Sequence, residues 1–523
     1  MSADLAWPAQ PVIHEVDTWV WLAELTRRYG RPVTLADVPA EAWDEVGLDG
    51  VDAIWLMGVW ERSPAGLAIA RGDDALTAAF RAALPDLRPD DVVGSPYCVR
   101  SYTVDARLGG PAGLAAARAV LADRGIRLVL DYVPNHVAPD HPWVRARPDL
   151  FIRGTSDDLA RSPEAFVEVD GAVLARGRDP FFPPWPDVLQ LNAFHPEFRQ
   201  ATVELLDRIG ALCDGLRCDM AMLMLTDVFA KTWGDQAGPV PAAEFWPDVL
   251  AQVRARHPHL LFVAEAYWDL EWTLQQQGFD YCYDKRLHDR LAEGDVAGLR
   301  AHLAAGVDYQ RRLLRFVENH DEPRAAATLA PIERLRAATI AIATLPGATL
   351  WHEGQFDGRR VRLPVFLGRR PAEPLDPGFR RFGAAVLAAV RAGELRAGTW
   401  RLLDVVGWPD NPSHRALLAW SWERGAGRHL VVLNLSERAA QGRVRLPWDD
   451  LRGRRWALTP LLESPVFDGP VFDGPVFDGP VFDRDGDELA DPGLFVDLAP
   501  WGWHLVAVES APSRVAERPE RLG

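Results

Sequence analysis

The 523-residue sequence predicts an α/β fold: a (β/α)8 TIM barrel, a small subdomain inserted after its third strand, and a C-terminal antiparallel β-sandwich. Three observations support this prediction. Eight short apolar runs alternate with helical patterns over the first three quarters of the chain. One stretch rich in Pro, Asp and Arg, without helical period, interrupts the alternation. Beyond about residue 397 the pattern changes to short alternating strands.

The eight apolar runs, taken in order, are typical of strands in a parallel barrel. The second run is nearly continuously apolar, as expected of a parallel strand that is covered on both faces. Helical patterns lie between runs, and the one over 111–124 ends at Gly125, a residue that commonly terminates helices. The predicted strands are 12–16, 51–59, 128–131, 215–219, 261–265, 279–283, 313–317 and 348–351. Further helices are predicted over 196–213, 241–257 and 331–345.

These elements predict the domain organisation. Residues 1–396 form the catalytic barrel, and residues 137–194 within them form the inserted subdomain over the barrel mouth. Residues 397–510 form the sandwich, and residues 511–523 are a flexible tail. A tandem repeat of Pro-Val-Phe-Asp-Gly between Pro465 and Asp483 is interpreted as an expanded surface loop rather than a calcium-binding repeat, because its five-residue period is too short for a solenoid unit.

Composition excludes several classes of partner. A formal net charge of −17 argues against nucleic acid and anionic membranes. The N-terminal residues have no basic start or long apolar run, and no stretch is apolar enough to span a membrane. The four cysteines lack CxxC spacing, so we expect buried reduced thiols and a cytoplasmic location. No Gly-rich phosphate loop follows a strand, which argues against a nucleotide cofactor.

Four predicted strands end in carboxylates: Asp131, Asp219, Glu265 and Asp321. The carboxyl ends of barrel strands meet at one mouth, and paired carboxylates are what sugar cleavage requires. Arg217 lies two residues before Asp219, on the same strand face, where its charge favours the ionised carboxylate. Glu265 follows an apolar strand, a setting that should raise its pKa by desolvation. The sequence therefore predicts a carbohydrate-active site at this mouth.

Four segments resemble the sequence motifs of the α-amylase family, glycoside hydrolase family 13. Their order and strand placement match the family, as do the inserted subdomain and the C-terminal sandwich, so the resemblance covers nearly the whole chain. The four segments are Asp131-Tyr132-Val133-Pro134-Asn135-His136, Gly215-Leu216-Arg217-Cys218-Asp219, Phe262-Val263-Ala264-Glu265 and Phe316-Val317-Glu318-Asn319-His320-Asp321.

The resemblance implies a division of labour among three carboxylates. Asp219 would be the nucleophile that attacks the anomeric carbon and forms a covalent glycosyl-enzyme. Glu265 would protonate the leaving oxygen and then deprotonate the incoming water. Asp321 would bind sugar hydroxyls and stabilise the oxocarbenium-like transition state. The structural alternatives are an internal ion pair for Asp219, a helix cap for Glu265 and a turn for Asp321.

The resemblance also implies substrate-binding residues. Tyr97 would stack on the sugar in the cleavage subsite, unless it is a buried loop tyrosine. His136 and His320 would donate hydrogen bonds to hydroxyls of that sugar. Asp131 is interpreted as support for Arg217 or Tyr97 rather than as a reactant. Asn135 matches a position that often binds calcium in this family, so a structural calcium is possible.

Two departures from the family pattern bear on the substrate. Met222 and Leu223 stand where many starch-cleaving members carry a Lys-His pair that contacts the reducing-side sugar, which argues against an ordinary endo-acting amylase. Cys98 stands where exo-acting α-glucosidases commonly have an aspartate, which weakens that interpretation too. The methionines around Met222 are expected in the core, with an acceptor-site lining as the alternative.

The predicted function is a retaining α-glycoside hydrolase that needs no cofactor and acts on an α-linked oligosaccharide or polysaccharide. An α-glucosyl transferase or isomerase would use the same carboxylates, with a sugar in place of water. A non-catalytic sugar-binding relative is the alternative from another class, although all three carboxylates are present here. For the retaining mechanism, the carboxyl groups of Asp219 and Glu265 should lie roughly 5–5.5 Å apart.

Overall fold

The structure, a computed structural model, describes residues 6–462 and 482–510. Eight parallel strands form a closed barrel in which each strand pairs with its neighbours in sequence and β8 pairs with β1. The predicted barrel is therefore confirmed. Each strand lies within its predicted run or extends beyond it by no more than one residue at either end. The strands are β1 Val12–Asp17, β2 Ala53–Met57, β3 Arg127–Tyr132, β4 Gly215–Cys218, β5 Leu261–Ala264, β6 Tyr281–Tyr283, β7 Leu313–Arg315 and β8 Ala348–His352.

The barrel interior is a packed apolar core, because alternate residues of each strand point inward. Ile13, Trp55, Val129, Val263 and Leu350 come from five different strands and belong to one buried cluster. The residues next to these in each strand point outward and are covered by other elements. Both faces of each strand are therefore buried, which explains the nearly continuous apolar runs in the sequence.

Helices connect the strands. Those in the part of the chain before β6 are Thr18–Tyr29, Ala40–Val46, Pro64–Gly72, Asp74–Ala83, Gly110–Asp123, Pro142–Ala146, Ser156–Arg161, Pro196–Gly210, Thr226–Trp233, Phe245–Arg256 and Glu271–Gln276. Those that follow are Lys285–Glu293, Val296–Leu303, Val307–Arg311, Ala325–Thr328, Ile332–Thr344, Pro377–Ala392 and Gly486–Ala490. Four of them coincide with the helices predicted over 111–124, 196–213, 241–257 and 331–345, within four residues at each end.

The segment after β3 contains short paired strands. His136–Val137 pairs with Leu189–Gln190, which brings the two ends of the segment together. Phe166–Val169 and Ala172–Ala175 form a hairpin between them. Two short helices are also present, so this segment has more regular structure than its lack of helical period suggests. Nearby, Trp60–Arg62 pairs with Val99–Val104.

Two antiparallel sheets follow, as predicted for the C-terminal region. One has six strands in the order β9-β11-β12-β17-β14-β15, and the other has three in the order β10-β13-β16. Leu417 and Val432 of the first sheet and Val444 and Val496 of the second belong to one buried core. The strands are β9 Thr399–Leu403, β10 Val405–Val406, β11 Leu417–Arg424, β12 Gly427–Asn434, β13 Ala440–Val444, β14 Arg455–Leu462, β15 Phe482–Asp485, β16 Leu494–Leu498 and β17 Trp503–Ser510.

The chain divides into two compact units that interleave along the sequence, whereas the sequence predicts one boundary near residue 397. The first unit holds all eight barrel strands. The second combines helices with the sheets: Trp422 Nε1 donates to Thr344 O at 2.7 Å, and Arg300 Nη2 donates to Leu417 O at 2.6 Å. The first unit is Met1–Arg286, Arg311–Ala327 and Gly347–Asp376, and the second is Leu287–Gln310, Thr328–Pro346 and Pro377–Gly523.

Three other predictions can be placed. All four cysteines are buried and free, as expected. Across residues 6–462 and 482–510, no helix is both long and apolar enough to cross a membrane. Residues 465–481 of the repeat, expected as a surface loop, and the tail 511–523, expected to be flexible, lie outside the described residues.

Candidate active site

A cavity of about 330 Å³ opens at the carboxyl ends of the barrel strands. Its lining includes Asp219, Glu265 and Asp321, the three predicted catalytic carboxylates, together with Tyr97 and His136. The convergence follows from the fold, because each carboxylate comes directly or soon after the end of a parallel strand. The structure therefore brings five of the predicted site residues to one cavity.

Arg217 links two of the carboxylates. It is fully buried in β4, with Nη1 2.6 Å from Asp219 Oδ1 and Nη2 2.8 Å from Glu265 Oε2. Burial raises the pKa of Asp219, while the charge and hydrogen bond of Arg217 oppose that shift. A short charge-assisted hydrogen bond favours the ionised carboxylate. One guanidinium thus orients both groups toward the cavity.

Glu265 accepts hydrogen bonds that favour its ionised form, while burial favours its protonated form. Its Oε2 accepts a hydrogen bond from Met220 N at 2.6 Å, and its Oε1 accepts one from the Tyr267 hydroxyl at 2.8 Å. Burial raises its pKa to about 7, Arg217 opposes the shift, and Asp219 adds to it. With a pKa of about 7, Glu265 can exchange a proton near neutral pH.

Asp321 is held by a charged histidine. His320 Nε2 lies 3.0 Å from Asp321 Oδ2, and Nδ1 contacts Glu15, a buried residue of β1. Burial lowers the pKa of His320, but Asp321 and Glu15 outweigh burial and raise it well above the usual value. Desolvation raises the pKa of Asp321, but His320 and Arg217 outweigh it and lower that pKa to about 2. Asp321, whose side chain is 40% exposed, is therefore an ionised carboxylate at the cavity.

His320 also fixes Tyr97. The Tyr97 hydroxyl lies 2.7 Å from His320 Nε2, and the two rings stack with centroids 5.3 Å apart. The hydrogen bond from His320 to a sugar hydroxyl, which the family resemblance implies, stays a prediction; in this structure both ring nitrogens contact protein groups. In this structure it positions Asp321 and Tyr97.

Aromatic rings surround the guanidinium of Arg217. Its Cζ lies 5.1 Å from the ring centroid of Tyr97, 5.4 Å from that of Trp55 and 5.7 Å from that of Tyr283. These faces stabilise a buried cation without competing for its hydrogen bonds. Tyr283 also accepts a hydrogen bond from Arg217 Nε at 3.3 Å through its hydroxyl.

Asp131 is placed behind the reacting groups. Its Oδ1 lies 3.8 Å from Arg217 Nη1, and its Oδ2 accepts a hydrogen bond from Gly58 N at 3.1 Å. Burial raises its pKa to about 6, and Arg217 opposes the shift. It does not line the cavity. This placement agrees with the interpretation of Asp131 as support for Arg217.

His136 and Asn135 differ in what they contact. His136 lines the cavity with its ring 5.1 Å from that of Trp185, and burial lowers its pKa to about 4, so it is neutral near pH 7. Asn135 is buried and pairs with Gln190: Gln190 Nε2 donates to Asn135 Oδ1 at 2.8 Å, and Asn135 Nδ2 donates to Gln190 Oε1 at 3.2 Å.

This amide pair bears on the possible calcium. Calcium needs several free oxygen ligands, but Gln190 Nε2 already donates to both the side-chain and the main-chain oxygen of Asn135. Within residues 6–462 and 482–510, no group of three or more His, Cys, Asp and Glu side chains could hold a metal ion. The residues around Asn135 therefore do not fit a calcium site.

The departures from the family pattern have structural explanations. Met222 and Leu223 are buried in a short 3-10 helix, Ala221–Met224, as expected of core residues. Met220, just before it, has φ of 43° and lines the cavity, so one methionine of the run does reach the site. Cys98 is buried, and its thiol donates to Asp187 O at 3.0 Å.

Sequence reasoning missed several contributors. Glu15 and Tyr283 lie on strands outside the four family motifs, and no local sequence pattern marks either residue. Tyr267 and Met220 each directly neighbour a motif, so the residues flanking Glu265 and Asp219 were the available clue. Asp187, a cavity-lining carboxylate in the inserted segment, was also missed.

The chain is similar in sequence to curated proteins that act on α-glucans by name. No family model matches it. The α-amylase MalA of Haloarcula japonica is 23% identical over 369 residues, which cover 68% of this chain and 45% of that protein. An α-1,4-glucan:maltose-1-phosphate maltosyltransferase of Bifidobacterium longum is 25% identical over 232 residues, which cover 43% of this chain and 25% of the transferase. The chain thus spans less than half the length of these curated relatives.

The fold has close counterparts among solved structures. The maltogenic α-amylase AmyB of Thermotoga neapolitana superposes with a TM-score of 0.64 and 16% identity, covering 97% of this chain and 99% of AmyB. At that identity the likeness shows the fold. The predicted resemblance to the α-amylase family is therefore confirmed, in sequence by the two relatives and in fold by the solved structure.

Proposed function

We propose that this chain cleaves α-glycosidic bonds with retention of anomeric configuration, in an α-glucan or an α-linked oligosaccharide. One arrangement carries the proposal: Asp219 and Glu265, at the ends of neighbouring strands, share the guanidinium of Arg217 and line one cavity. Double displacement needs one ionised carboxylate and one that holds a proton. Relatives named α-amylase and maltosyltransferase support the same substrate class.

The reaction follows from these positions. Asp219 attacks the anomeric carbon while Glu265 gives its proton to the leaving oxygen, so a covalent glycosyl-enzyme forms and the leaving sugar departs. Glu265, now a carboxylate, takes a proton from an incoming hydroxyl, whose oxygen displaces Asp219 from the anomeric carbon. Asp321 binds sugar hydroxyls and stabilises the positive charge that develops on the ring. Only carboxyl groups are needed, so we propose that no cofactor takes part.

The second candidate is an α-glucosyl transferase or isomerase. It differs only in the group that resolves the glycosyl-enzyme, which is a sugar hydroxyl in place of water. The similarity to a maltosyltransferase favours this candidate alongside the hydrolase. For either activity we propose a cytoplasmic location, which the four buried, free cysteines support.

A product analysis tests the proposal. The chain is incubated with maltose, maltotriose, isomaltose, sucrose, trehalose, maltose 1-phosphate, glycogen and starch, and the anomeric form of the product is followed by NMR. Release or transfer of α-anomeric sugar, lost in Asp219→Asn, is the expected result. A β-anomeric product, or turnover retained in Asp219→Asn, overturns the mechanism. Binding of these sugars without any turnover would instead indicate a non-catalytic barrel.

A further inference from the structure

Tyr267 is a cavity residue that the reaction described above does not use. It lies two residues after Glu265, lines the cavity, and donates a hydrogen bond through its hydroxyl to Glu265 Oε1 at 2.8 Å. The loop that carries Tyr267 directly follows β5. Because Glu265 is the group that gives and takes a proton, a hydroxyl held on one of its two oxygens bears on how that proton moves.

The two carboxyl oxygens of Glu265 have different surroundings. Oε2 accepts a hydrogen bond from Met220 N at 2.6 Å and lies 2.8 Å from Arg217 Nη2. A backbone N–H and a guanidinium can only donate, so a proton on Oε2 would face two donors. The contact of Oε1 is the Tyr267 hydroxyl, which can either donate or accept. The proton of the acid form therefore belongs on Oε1.

The backbone around Glu265 fixes this asymmetry. Glu265 N donates to Cys218 O at 3.0 Å, and Ala221 N donates to Glu265 O at 3.1 Å. Met220, whose N–H binds Oε2, has φ of 43°, a region that non-glycine residues seldom occupy. Such a conformation persists where the surrounding structure enforces it, and it concentrates at functional sites. The donor on Oε2 is thus part of a fixed turn and does not rotate away.

The Tyr267 hydroxyl differs from that donor because it can turn. Burial raises the pKa of Tyr267 well above its usual value, and the charges of Glu265 and Asp321 raise it further. Tyr267 therefore keeps its own proton and is not itself the acid. Its O–H can donate to Oε1 when Glu265 is ionised, and its oxygen can accept from Oε1 when Glu265 is protonated.

We propose that Oε1 is the oxygen of Glu265 that transfers the proton, and that Tyr267 is a positioning residue that holds Oε1 in both protonation states. In the first step the proton passes from Oε1 to the leaving oxygen, the electron pair of that O–H bond stays on Glu265, and Tyr267 donates to the new carboxylate. In the second step the proton of the incoming hydroxyl passes to Oε1, while its oxygen bonds to the anomeric carbon and the bond to Asp219 breaks. This inference rests on the proposed function and assigns the atom through which its proton moves.

Other charged groups also act on this pair, and they stay in place when the Tyr267 hydroxyl is removed. The positive charge near Glu265 favours its ionised form, and the neighbouring carboxylates favour its protonated form. The titratable and charged groups that face the pair come from three strands and are Arg217 and Asp219 at β4, Asp321 after β7 and Tyr283 on β6. Tyr267→Phe removes one hydrogen bond that favours the ionised form, so the pKa of Glu265 should rise.

The test is the pH dependence of Tyr267→Phe. The alkaline fall of kcat/KM for maltotriose, expected near pH 7 in the parent chain, should move up by about one pH unit in the variant. Tyr281→Phe is the matched control, because Tyr281 is also buried and its hydroxyl donates one hydrogen bond, to Ala9 O at 2.7 Å. The control should leave the fall near pH 7. A Tyr267→Phe variant that loses activity without this shift overturns the positioning role.

Two measurements need no turnover and so separate this inference from the proposed function. Neutron diffraction at about pH 5, below the pKa of Glu265, should show a deuteron on Oε1, and a deuteron on Oε2 overturns the assignment. If the parent chain turns over no sugar, the proposed function fails, and Tyr267 is judged by stability. The pH above which Glu265→Gln gains no further stability should lie about one unit higher in the Tyr267→Phe background. The same pH in both backgrounds overturns the role of Tyr267.

Discussion

Arg217 Nη1 lies 2.6 Å from Asp219 Oδ1, while the other terminal nitrogen of the same guanidinium lies 2.8 Å from Glu265 Oε2. The planar fork of arginine can hold two carboxylates at fixed positions, whereas a lysine ammonium is a point charge. The three groups are buried, and this one side chain is the group that contacts both carboxylates.

Arg217→Lys should therefore lower kcat/KM by roughly 10²–10³-fold while the barrel stays folded. Lysine keeps the charge but cannot orient both carboxylates at once. The measurement is kcat/KM on maltotriose alongside circular dichroism. Arg315→Lys is a matched control, since Arg315 is also fully buried in a barrel strand and paired with a carboxylate, Asp284. Equal activity losses in the two variants would show that Arg217 acts only through stability.

The pH profile should report the proton on Glu265. This group must be protonated for bond cleavage, and its pKa is about 7, so kcat/KM for maltotriose should fall as the pH rises through about 7. For α-glucosyl fluoride, whose leaving group needs no proton, kcat/KM should not show this fall, the alkaline limb of the pH profile. Glu353, whose pKa burial also raises to about 7, lies outside the cavity. If Glu353→Gln removed the limb, the limb would belong to that residue.

The same pKa has a consequence for stability. Native Glu265 keeps its proton up to about pH 7, whereas the unfolded chain releases it near the usual value of 4.5. Between these values the unfolded state binds fewer protons, so this group lowers the free energy of unfolding as pH rises. Above pH 7 the cost is on the order of 3 kcal/mol.

Glu265→Gln removes that cost. Denaturant titrations at several pH values should show the variant gaining stability relative to the parent chain between pH 4.5 and 7, and no further gain above. A difference in free energy of unfolding that does not change with pH would mean that the carboxyl group is ionised throughout.

The barrel and its carboxylates could be predicted because their signals are local. An apolar run of five residues identifies a buried strand, and Arg217 and Asp219 are two residues apart, so the strand period alone puts them on one face. The carboxyl ends of parallel strands then converge without further information. These features need no knowledge of distant packing.

The missed features depend on contacts between distant parts of the chain. Glu15 meets His320 across 305 residues of sequence, and no periodicity near either residue encodes that pairing. The contact of His320 Nδ1 with Glu15 could not be predicted for this reason. The same holds for the interleaved second unit. The hydrogen bond from Trp422 to Thr344 joins segments that lie on opposite sides of the boundary predicted near residue 397.

The oxygens of Asn135 that a cation would need already accept hydrogen bonds from Gln190 Nε2, so we expect no calcium at this position. We expect a chelator to leave the Tm unchanged, and added calcium to leave it unchanged as well. Gln190→Ala should lower the free energy of unfolding by about 3 kcal/mol, since it leaves the buried Oδ1 of Asn135 without the hydrogen bond that Gln190 donates to it. Gln236→Ala, at an exposed position, should change it by less than about 0.5 kcal/mol. A Tm that drops by several degrees with chelator would instead show that the fold holds a metal ion elsewhere.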